Sequence, residues 1–196
     1  MATPDPEQIE FVAERALELL GGREKAIESM EAEYHAMKDR WNQDTQMIGR
    51  ILRSHLYVEY YLTEYLQAAN RTLGSIDEAR LTFAQKVSLL RADDHLANIL
   101  IGGIRHLNRI RNRLAHNLAA EVTDEDAKVF LSQGLFRAMR EARAKDDGEP
   151  ISAAPLDVLD EFAEFASAML HNGTTPHGEA FGQALREWEV KRDEAV

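Results

Sequence analysis

The feature that most constrains the fold is a repeat of apolar residues spaced three and four positions apart. In the first third of the chain the repeat runs through Ile27, Met30, Tyr34, Met37, Trp41, Ile48, Ile51 and Leu62. This spacing places apolar side chains on one face of an α-helix, whereas runs that alternate polar and apolar residues, which are typical of strands, are absent. The sequence therefore predicts an all-α protein that folds as an antiparallel helical bundle.

Local signals divide this pattern into helices. Asp5-Pro6 begins a first helix, and Gly21-Gly22 ends it. The next repeat fits one helix of about 45 residues or two, and the polar residues 42–45 favour two, because they compete for their own backbone groups. A capping box at Ser75 predicts a helix over 76–90.

The rest of the chain follows the same rules. Asp93 or Asp94 caps a helix that ends near 116, and the acidic residues 123–126 open another. A helix over 156–170 ends at Gly173, the segment 174–182 is predicted to be a loop, and the charged tail is predicted to form a short peripheral helix. We therefore predict four regions: an N-terminal helical extension (1–45), a bundle core (46–143), a linker (144–155) and a C-terminal helical appendage (156–196).

Composition excludes several kinds of chemistry. The chain of 196 residues contains no cysteine, which rules out disulfides, thiolate catalysis and cysteine-bound metals. Its net charge of −11 argues against a broad nucleic-acid-binding face. The first residues lack a basic and apolar leader and no apolar run approaches membrane-spanning length, so we expect a cytoplasmic protein without membrane contact.

The distribution of charge matters more than its sum. From His95 to Ala120 there are four arginines and three histidines but no acidic residue. On a helix at about 100° per residue, Arg111 lies in the middle of an apolar face. That face contains Leu100, Ile104, Leu107, Leu114 and Leu118. A second face is polar and basic, and it is formed by Arg105, Arg109, Asn112 and His116.

A guanidinium on an apolar face needs a partner, because an unpaired buried charge costs several kcal/mol. The helix around residues 53–66 offers Glu59, which interrupts an apolar stripe together with His55. We predict an ion pair between Arg111 and Glu59, with His55 as a hydrogen-bonded core histidine. His55 and Glu59 also have the spacing of metal ligands, but a lone pair is a weak signal, and we expect no metal or cofactor.

The segment IRNRLAHN, on a helix that follows SHLYVEYYLTEYL, resembles the HEPN superfamily, small helical bundles marked by an arginine followed four to six residues later by a histidine. Arg111, Asn112 and His116 match this motif in order and spacing, and the resemblance covers roughly 46–143. The segment SIDEARLTFAQKVSLL is also similar to the mannitol-repressor-like and related branches. Leu118 stands where some toxin branches have tyrosine.

The resemblance implies a metal-independent endoribonuclease of the toxin–antitoxin or defence kind, or else a non-catalytic regulatory or interaction protein of the same fold. In the first case Arg111, Asn112 and His116 are the expected catalytic residues. Arg105, Arg109 and Arg113 are the expected substrate-binding residues. The expected partners are a second copy of the chain, an RNA substrate, and an antitoxin or regulatory protein. Arg111 and His116 lie about 140° apart on one helix, so a dimer or an unwound last turn is needed to bring them together.

Overall fold

The described part of the chain is built from helices joined by short turns. The computed structural model describes residues 5–41, 44–70, 74–90, 94–117, 121–148 and 150–194, and these residues contain no strand. The helices in chain order are α1 (Pro6–Leu19), α2 (Arg23–Trp41), α3 (Thr45–Ala69), α4 (Phe83–Ser88), α5 (His95–His116), α6 (Asp124–Leu131), α7 (Gly134–Asp147), α8 (Pro155–Gly173) and α9 (Pro176–Glu194). The predicted all-α fold class is confirmed.

The chain divides into two compact units, Met1–Asp44 and Thr45–Val196. The first unit contains α1 and α2. Asp5 caps α1 and accepts a hydrogen bond from the backbone N–H of Glu7, as its sequence predicts. Gly21 and Gly22 follow with φ angles of 82° and 103°. These values favour glycine and let the chain reverse between the two helices.

The long apolar repeat belongs to two helices, since α2 ends at Trp41 and α3 begins at Thr45. This confirms the break that the polar residues of 42–45 predict, although residues 42 and 43 themselves lie outside the described part. The two halves of the repeat differ in their surroundings. Ile51, Val58 and Leu62 of α3 are buried in the second unit, whereas the large apolar residues of the repeat in α2 are exposed.

The core of the second unit forms around α8, which packs against α3, α5 and α6. Phe162 of α8 is fully buried, and its ring centroid lies 4.8 Å from that of Phe130. Leu159 and Leu170 are also fully buried. Helix α8, which the sequence analysis assigns to the C-terminal appendage, thus shares one core with α3 and α5.

Contact between α5 and α8 depends on a small residue. A Cβ atom placed on Gly103 would lie 2.1 Å from Cζ of Phe162, which is far inside van der Waals contact. The glycine therefore lets the phenylalanine ring lie directly against the backbone of α5. This contact fixes α5 against the centre of the core.

The predicted helix over 76–90 is shorter than expected. Ser75 Oγ accepts a hydrogen bond from Glu78 N at 3.2 Å, but residues 76–80 form a turn in which Arg80 has a φ of 50°. Helix α4 begins only after Thr82, whose side chain forms a reciprocal capping box with Gln85. The left-handed backbone at residue 80 cannot continue a right-handed helix, so the second capping box sets the start.

The C-terminal part is more helical than predicted. Helix α7 continues through Asp147 into the predicted linker and ends at Gly148, which has a φ of 68°. The predicted loop over 174–182 is wrong, because α9 already begins at Pro176, whose ring presets the φ of a first helical residue. None of the described helices combines the length and the apolar character needed to cross a membrane.

Candidate functional site

Helix α5 presents two faces of opposite character. Its inner face carries Leu100, Ile104, Leu107, Ile110 and Leu114, all of them buried. This agrees with the periodicity of the sequence, and Leu118 lies outside the described residues. Because the inner face holds the helix in the core, the side chains of the outer face have a fixed position.

The outer face carries the four residues predicted for it, Arg105, Arg109, Asn112 and His116, and all four are exposed. We call this set the α5 polar stripe. It runs along the helix to its last residue and contains two guanidinium groups, a carboxamide and an imidazole. Such a surface attracts anions, because no carboxylate on this helix competes for its donors.

An open groove lies beside the N-terminal half of this stripe, between α4 and α5. Its volume is about 260 Å³. Its walls are formed by Phe83, Ala84, Val87, Ser88, Arg105, Asn108 and Arg109. The groove thus combines an apolar wall from α4 with the two arginines of α5. This is a suitable combination for a ligand with a flat apolar part and a negative charge.

Arg111 is half-buried, and its environment differs from the predicted one. Its Nη1 donates a hydrogen bond to Asn112 Oδ1 at 3.2 Å. Glu59 binds Lys86 instead, with Nζ and Oε1 separated by 2.9 Å. The predicted Arg111–Glu59 pair is therefore wrong, because the short helix α4 brings a lysine to Glu59, and sequence periodicity on α3 and α5 could not reveal this neighbour.

His55 is a buried core histidine, as predicted. Its Nε2 lies 3.2 Å from Asn108 Oδ1 and its ring packs on Phe83 with a centroid distance of 4.2 Å. Burial lowers the pKa of His55, with a smaller opposing effect of the Asn108 hydrogen bond. The ring is therefore neutral at neutral pH. A metal at His55 and Glu59 would have to displace the ammonium group of Lys86.

Arg113 was predicted to bind substrate, but the structure engages it elsewhere. Both of its terminal nitrogens donate to the carboxylate of Asp126, and Nη2 also donates to the carbonyl oxygen of Glu121 at 2.8 Å. The side chain of Asp126 is only 5% exposed. Arg113 therefore fastens the C-terminal end of α5 to the start of α6, and its donors are occupied within the chain.

Sequence reasoning missed His106, which joins this ion pair to the polar stripe. Its Nε2 lies 3.0 Å from Asp126 Oδ1, and its Nδ1 accepts a hydrogen bond from Arg109 Nη2 at 2.9 Å. The spacing of His106, Arg109 and Arg113 by three and four residues places them on one side of α5. That spacing, followed by an acidic helix start, was the signal that could have revealed this group.

The two titratable groups of this network have shifted pKa values. Burial lowers the pKa of His106, and the nearby Asp126 carboxylate opposes this effect. For Asp126, burial alone would raise the pKa, but hydrogen bonds from Arg113 and Thr123 outweigh it and keep the pKa below its ordinary value. The carboxylate is thus ionised beside a neutral imidazole.

The motif residues are only partly brought together. Arg111 and Asn112 are in direct contact, whereas His116 is the last residue of α5 and is exposed. Because α5 remains helical through His116, Arg111 and His116 point about 140° apart. One chain therefore offers an anion-binding stripe, but it does not place the arginine and the histidine around one ligand atom.

Comparison with known proteins identifies no relative. No protein-family model matches the sequence, no curated protein matches it, and no solved structure matches the fold. The class that fold and site define by themselves is an all-α protein with an exposed basic stripe on a helix anchored in its core.

Proposed function

We propose that the protein is a metal-independent endoribonuclease that acts on single-stranded RNA through the α5 polar stripe. The observation that supports this most strongly is the exposure of Arg105, Arg109, Asn112 and His116 on one acid-free helix face, in a chain with a net charge of −11. The net negative charge of such a chain repels anions, so a local basic surface is the place where an anion binds. The resemblance of the same helix to the HEPN motif supports the same function.

RNA binding would use the groove beside the stripe. The guanidinium groups of Arg105 and Arg109 line this groove, and such groups bind phosphate oxygens through paired N–H donors. Phe83 and Val87 supply an apolar wall on the other side, against which an unpaired base can pack. Single-stranded RNA offers both a phosphate for the arginines and an unpaired base for the apolar wall.

Cleavage would use the end of the stripe. His116 accepts the proton of a ribose 2′-hydroxyl, and the 2′ oxygen then attacks the adjacent phosphorus. The bond from phosphorus to the 5′ oxygen breaks, the 5′ oxygen takes up a proton, and a 2′,3′-cyclic phosphate remains. Arg111 and Asn112 bind and orient the non-bridging phosphate oxygens as negative charge grows on them.

This chemistry requires the groups of two chains. Arg111 and His116 lie on different sides of the same helix, so a homodimer with its α5 helices near the twofold axis would let Arg111 of one chain and His116 of the other meet one phosphate. The second candidate is a non-catalytic regulatory protein that acts through a protein partner. It is favoured by the separation of Arg111 from His116 and by the engagement of Arg113 with Asp126.

The test uses purified full-length protein and a labelled single-stranded RNA in the presence of EDTA. We expect products with cyclic phosphate ends and no cleavage of DNA, because DNA lacks the 2′-hydroxyl nucleophile. His116→Ala should lower the rate by about 10²–10⁴, the usual contribution of a positioned acid–base group. His177→Ala is the matched control, because it removes an exposed histidine from α9, outside the stripe.

An RNA pool that stays intact with folded wild-type protein contradicts the nuclease and leaves the regulatory protein. Mixing two inactive variants tests the dimeric site directly. If His116→Ala and Arg111→Ala are each inactive and the site is shared, the mixed dimer contains one complete site, so about a quarter of the wild-type activity should return. A site within one chain gives no recovery.

A further inference from the structure

The first unit of the chain exposes its apolar side chains. In α2 the five residues Ile27, Met30, Tyr34, Met37 and Trp41 are between 46% and 85% exposed. In α1 the exposed apolar residues are Ile9, Phe11, Val12, Leu17 and Leu19, and Leu20 follows them. Among the described residues of this unit, Ala26 is the buried hydrophobic one. Two helices that bury so little are not stable alone, because isolated helices of this length are marginal in water.

The spacing of the exposed residues in α2 identifies what they pack against. Ile27, Tyr34 and Trp41 occupy position a of a heptad, and Met30 and Met37 occupy position d. A repeat of 3.5 residues keeps one apolar seam turned toward another helix, and the side chains of that seam insert between those of the partner. A ligand groove or a lipid surface does not require this repeat, whereas a second helix does.

The charges beside this seam fit a second copy of α2 that runs in the opposite direction. Position e carries Glu31 in the middle of the helix and Lys38 near its end. In an antiparallel pair that places Tyr34 opposite the partner's Met37, the e positions face each other. Glu31 then meets the partner's Lys38, and the twofold axis repeats this ion pair. The charge pattern of α2 thus fits a second copy of the same helix that runs in the opposite direction.

The available area is also sufficient. The five large side chains of the α2 seam are between 46% and 85% exposed, and at about 100 Å² each they present on the order of 500 Å² per chain, to which the exposed apolar side chains on one side of α1 add. A standard stable interface buries about 800 Å² per partner. An apolar surface of this size is uncommon on a protein that works as a monomer.

We propose that the α1–α2 hairpin is a self-association module, in which α2 pairs antiparallel with α2 of a second copy and the two α1 helices complete a four-helix bundle. The occupant of the apolar surface is the same surface of another chain. This inference does not rest on the nuclease, since it concerns a unit that contains none of the α5 polar stripe.

The first experiment is light scattering of the full chain at about 20 µM, a concentration at which interfaces of modest affinity are occupied. We expect twice the chain mass for the wild type. The double variant Met30→Glu/Met37→Glu should be a monomer, because it places carboxylates in the seam, although glutamate is as good a helix former as methionine. Ala32→Glu should remain a dimer, because residue 32 is exposed on the opposite face of α2.

A charge exchange tests the orientation without touching the seam. Glu31→Lys and Lys38→Glu should each weaken the dimer, because like charges then face each other, and the double variant should restore it. In a parallel pair residue 31 would face Ala26 and residue 38 would face Glu33, so the double variant would stay weak.

Each other result overturns the proposal. A monomeric wild type means that another part of the chain or another protein covers the surface. A dimer that persists in Met30→Glu/Met37→Glu means that the chains associate elsewhere, and an Ala32→Glu monomer means that added charge acts without regard to the seam. Failure of the double exchange to restore the dimer excludes the antiparallel pair. The module is tested by the mass of the particle and the nuclease by RNA cleavage. Because the nuclease also requires a dimer, with its α5 helices near the axis, a dimer that persists in Met30→Glu/Met37→Glu and still cleaves RNA contradicts the module alone.

Discussion

Replacing Asp126 with alanine removes the carboxylate that joins α5 to α6. The side chain of Asp126 is 5% exposed and accepts hydrogen bonds from Arg113 and from the backbone and hydroxyl of Thr123. It also lies 3.0 Å from Nε2 of His106. Alanine therefore leaves a guanidinium and a helix N-terminus without this acceptor, and it removes the carboxylate beside the imidazole.

The cost follows from these three losses. Loss of the capping box at the start of α6 costs about 1 kcal/mol. Nε2 of His106 is buried and lies beside the carboxylate without a well-directed hydrogen bond, so the imidazole loses a close contact but less than the roughly 1–3 kcal/mol of a donor that loses its acceptor. Arg113 is 40% exposed and can regain water, so its contribution is smaller than in a fully buried pair. We expect a total loss of about 1–3 kcal/mol, less than the 3–5 kcal/mol of a fully buried broken pair.

Urea unfolding followed by circular dichroism measures this loss. The control is Glu125→Ala, which removes a carboxylate from the same first turn of α6, but from a side chain that is 80% exposed. It should leave the unfolding midpoint nearly unchanged, because exposed ion pairs contribute little. If both variants unfold at the same urea concentration, the network does not stabilise the fold and the reasoning is wrong.

The effect also has a defined pH dependence. The pKa of Asp126 is lower in the folded chain than its ordinary value of 3.8, so the unfolded chain binds the proton first as the pH falls. The stabilisation is complete above pH 3.8 and disappears as the pH falls through the folded pKa. The difference between wild type and Asp126→Ala should therefore narrow in strong acid.

Two further predictions concern the core and its histidines. Gly103→Ala should lower the free energy of unfolding, measured in urea, by several kcal/mol, because its Cβ would lie 2.1 Å from Phe162. The control Gly102→Ala should be neutral or stabilise by up to about 1 kcal/mol, and equal urea midpoints for the two variants would contradict the close packing at Gly103. Burial lowers the pKa of His55 and His106 below 6.5, so the unfolded chain takes up protons first and the free energy of unfolding should fall as the pH drops below 6.5. A midpoint that is constant between pH 7.5 and 5.5 would show that neither ring stays neutral in the folded chain.

The sequence predicts those parts of the fold that depend on neighbouring residues. Asp5 caps α1 as predicted, and Asp94, one of the two predicted candidates, caps α5, because a cap needs only a side-chain oxygen two or three residues from an unpaired backbone N–H. The buried face of α5 follows in the same way from a period of 3.6 residues. Local rules are not sufficient everywhere, because the capping box at Ser75 starts only a turn and α4 begins after Thr82.

Predictions that require a partner from elsewhere in the chain were less successful. Glu59 does bind a cation, but the cation is Lys86 instead of Arg111. Which cation reaches Glu59 depends on how α4 packs against α3 and α5. The role of α8 was missed for the same reason, because an amphipathic helix after a linker has the same pattern whether it lies in the core or beside it. Periodicity shows that a face is buried, but it does not show against which helix.

The ion pair between Arg113 and Asp126 decides how variants of the motif must be interpreted. Arg113 and His116 lie three residues apart on α5, so their side chains are neighbours on one side of the helix, but Arg113 holds the helix end to Asp126. Arg113→Ala would therefore release the turn that positions His116, and a loss of RNA cleavage in that variant would not show that Arg113 touches substrate. Asp126→Ala releases the same turn without changing any residue of the stripe. If Arg113 acts only by positioning, Arg113→Ala should lose no more activity than Asp126→Ala, whereas a larger loss of activity in Arg113→Ala would mean that its guanidinium also binds RNA.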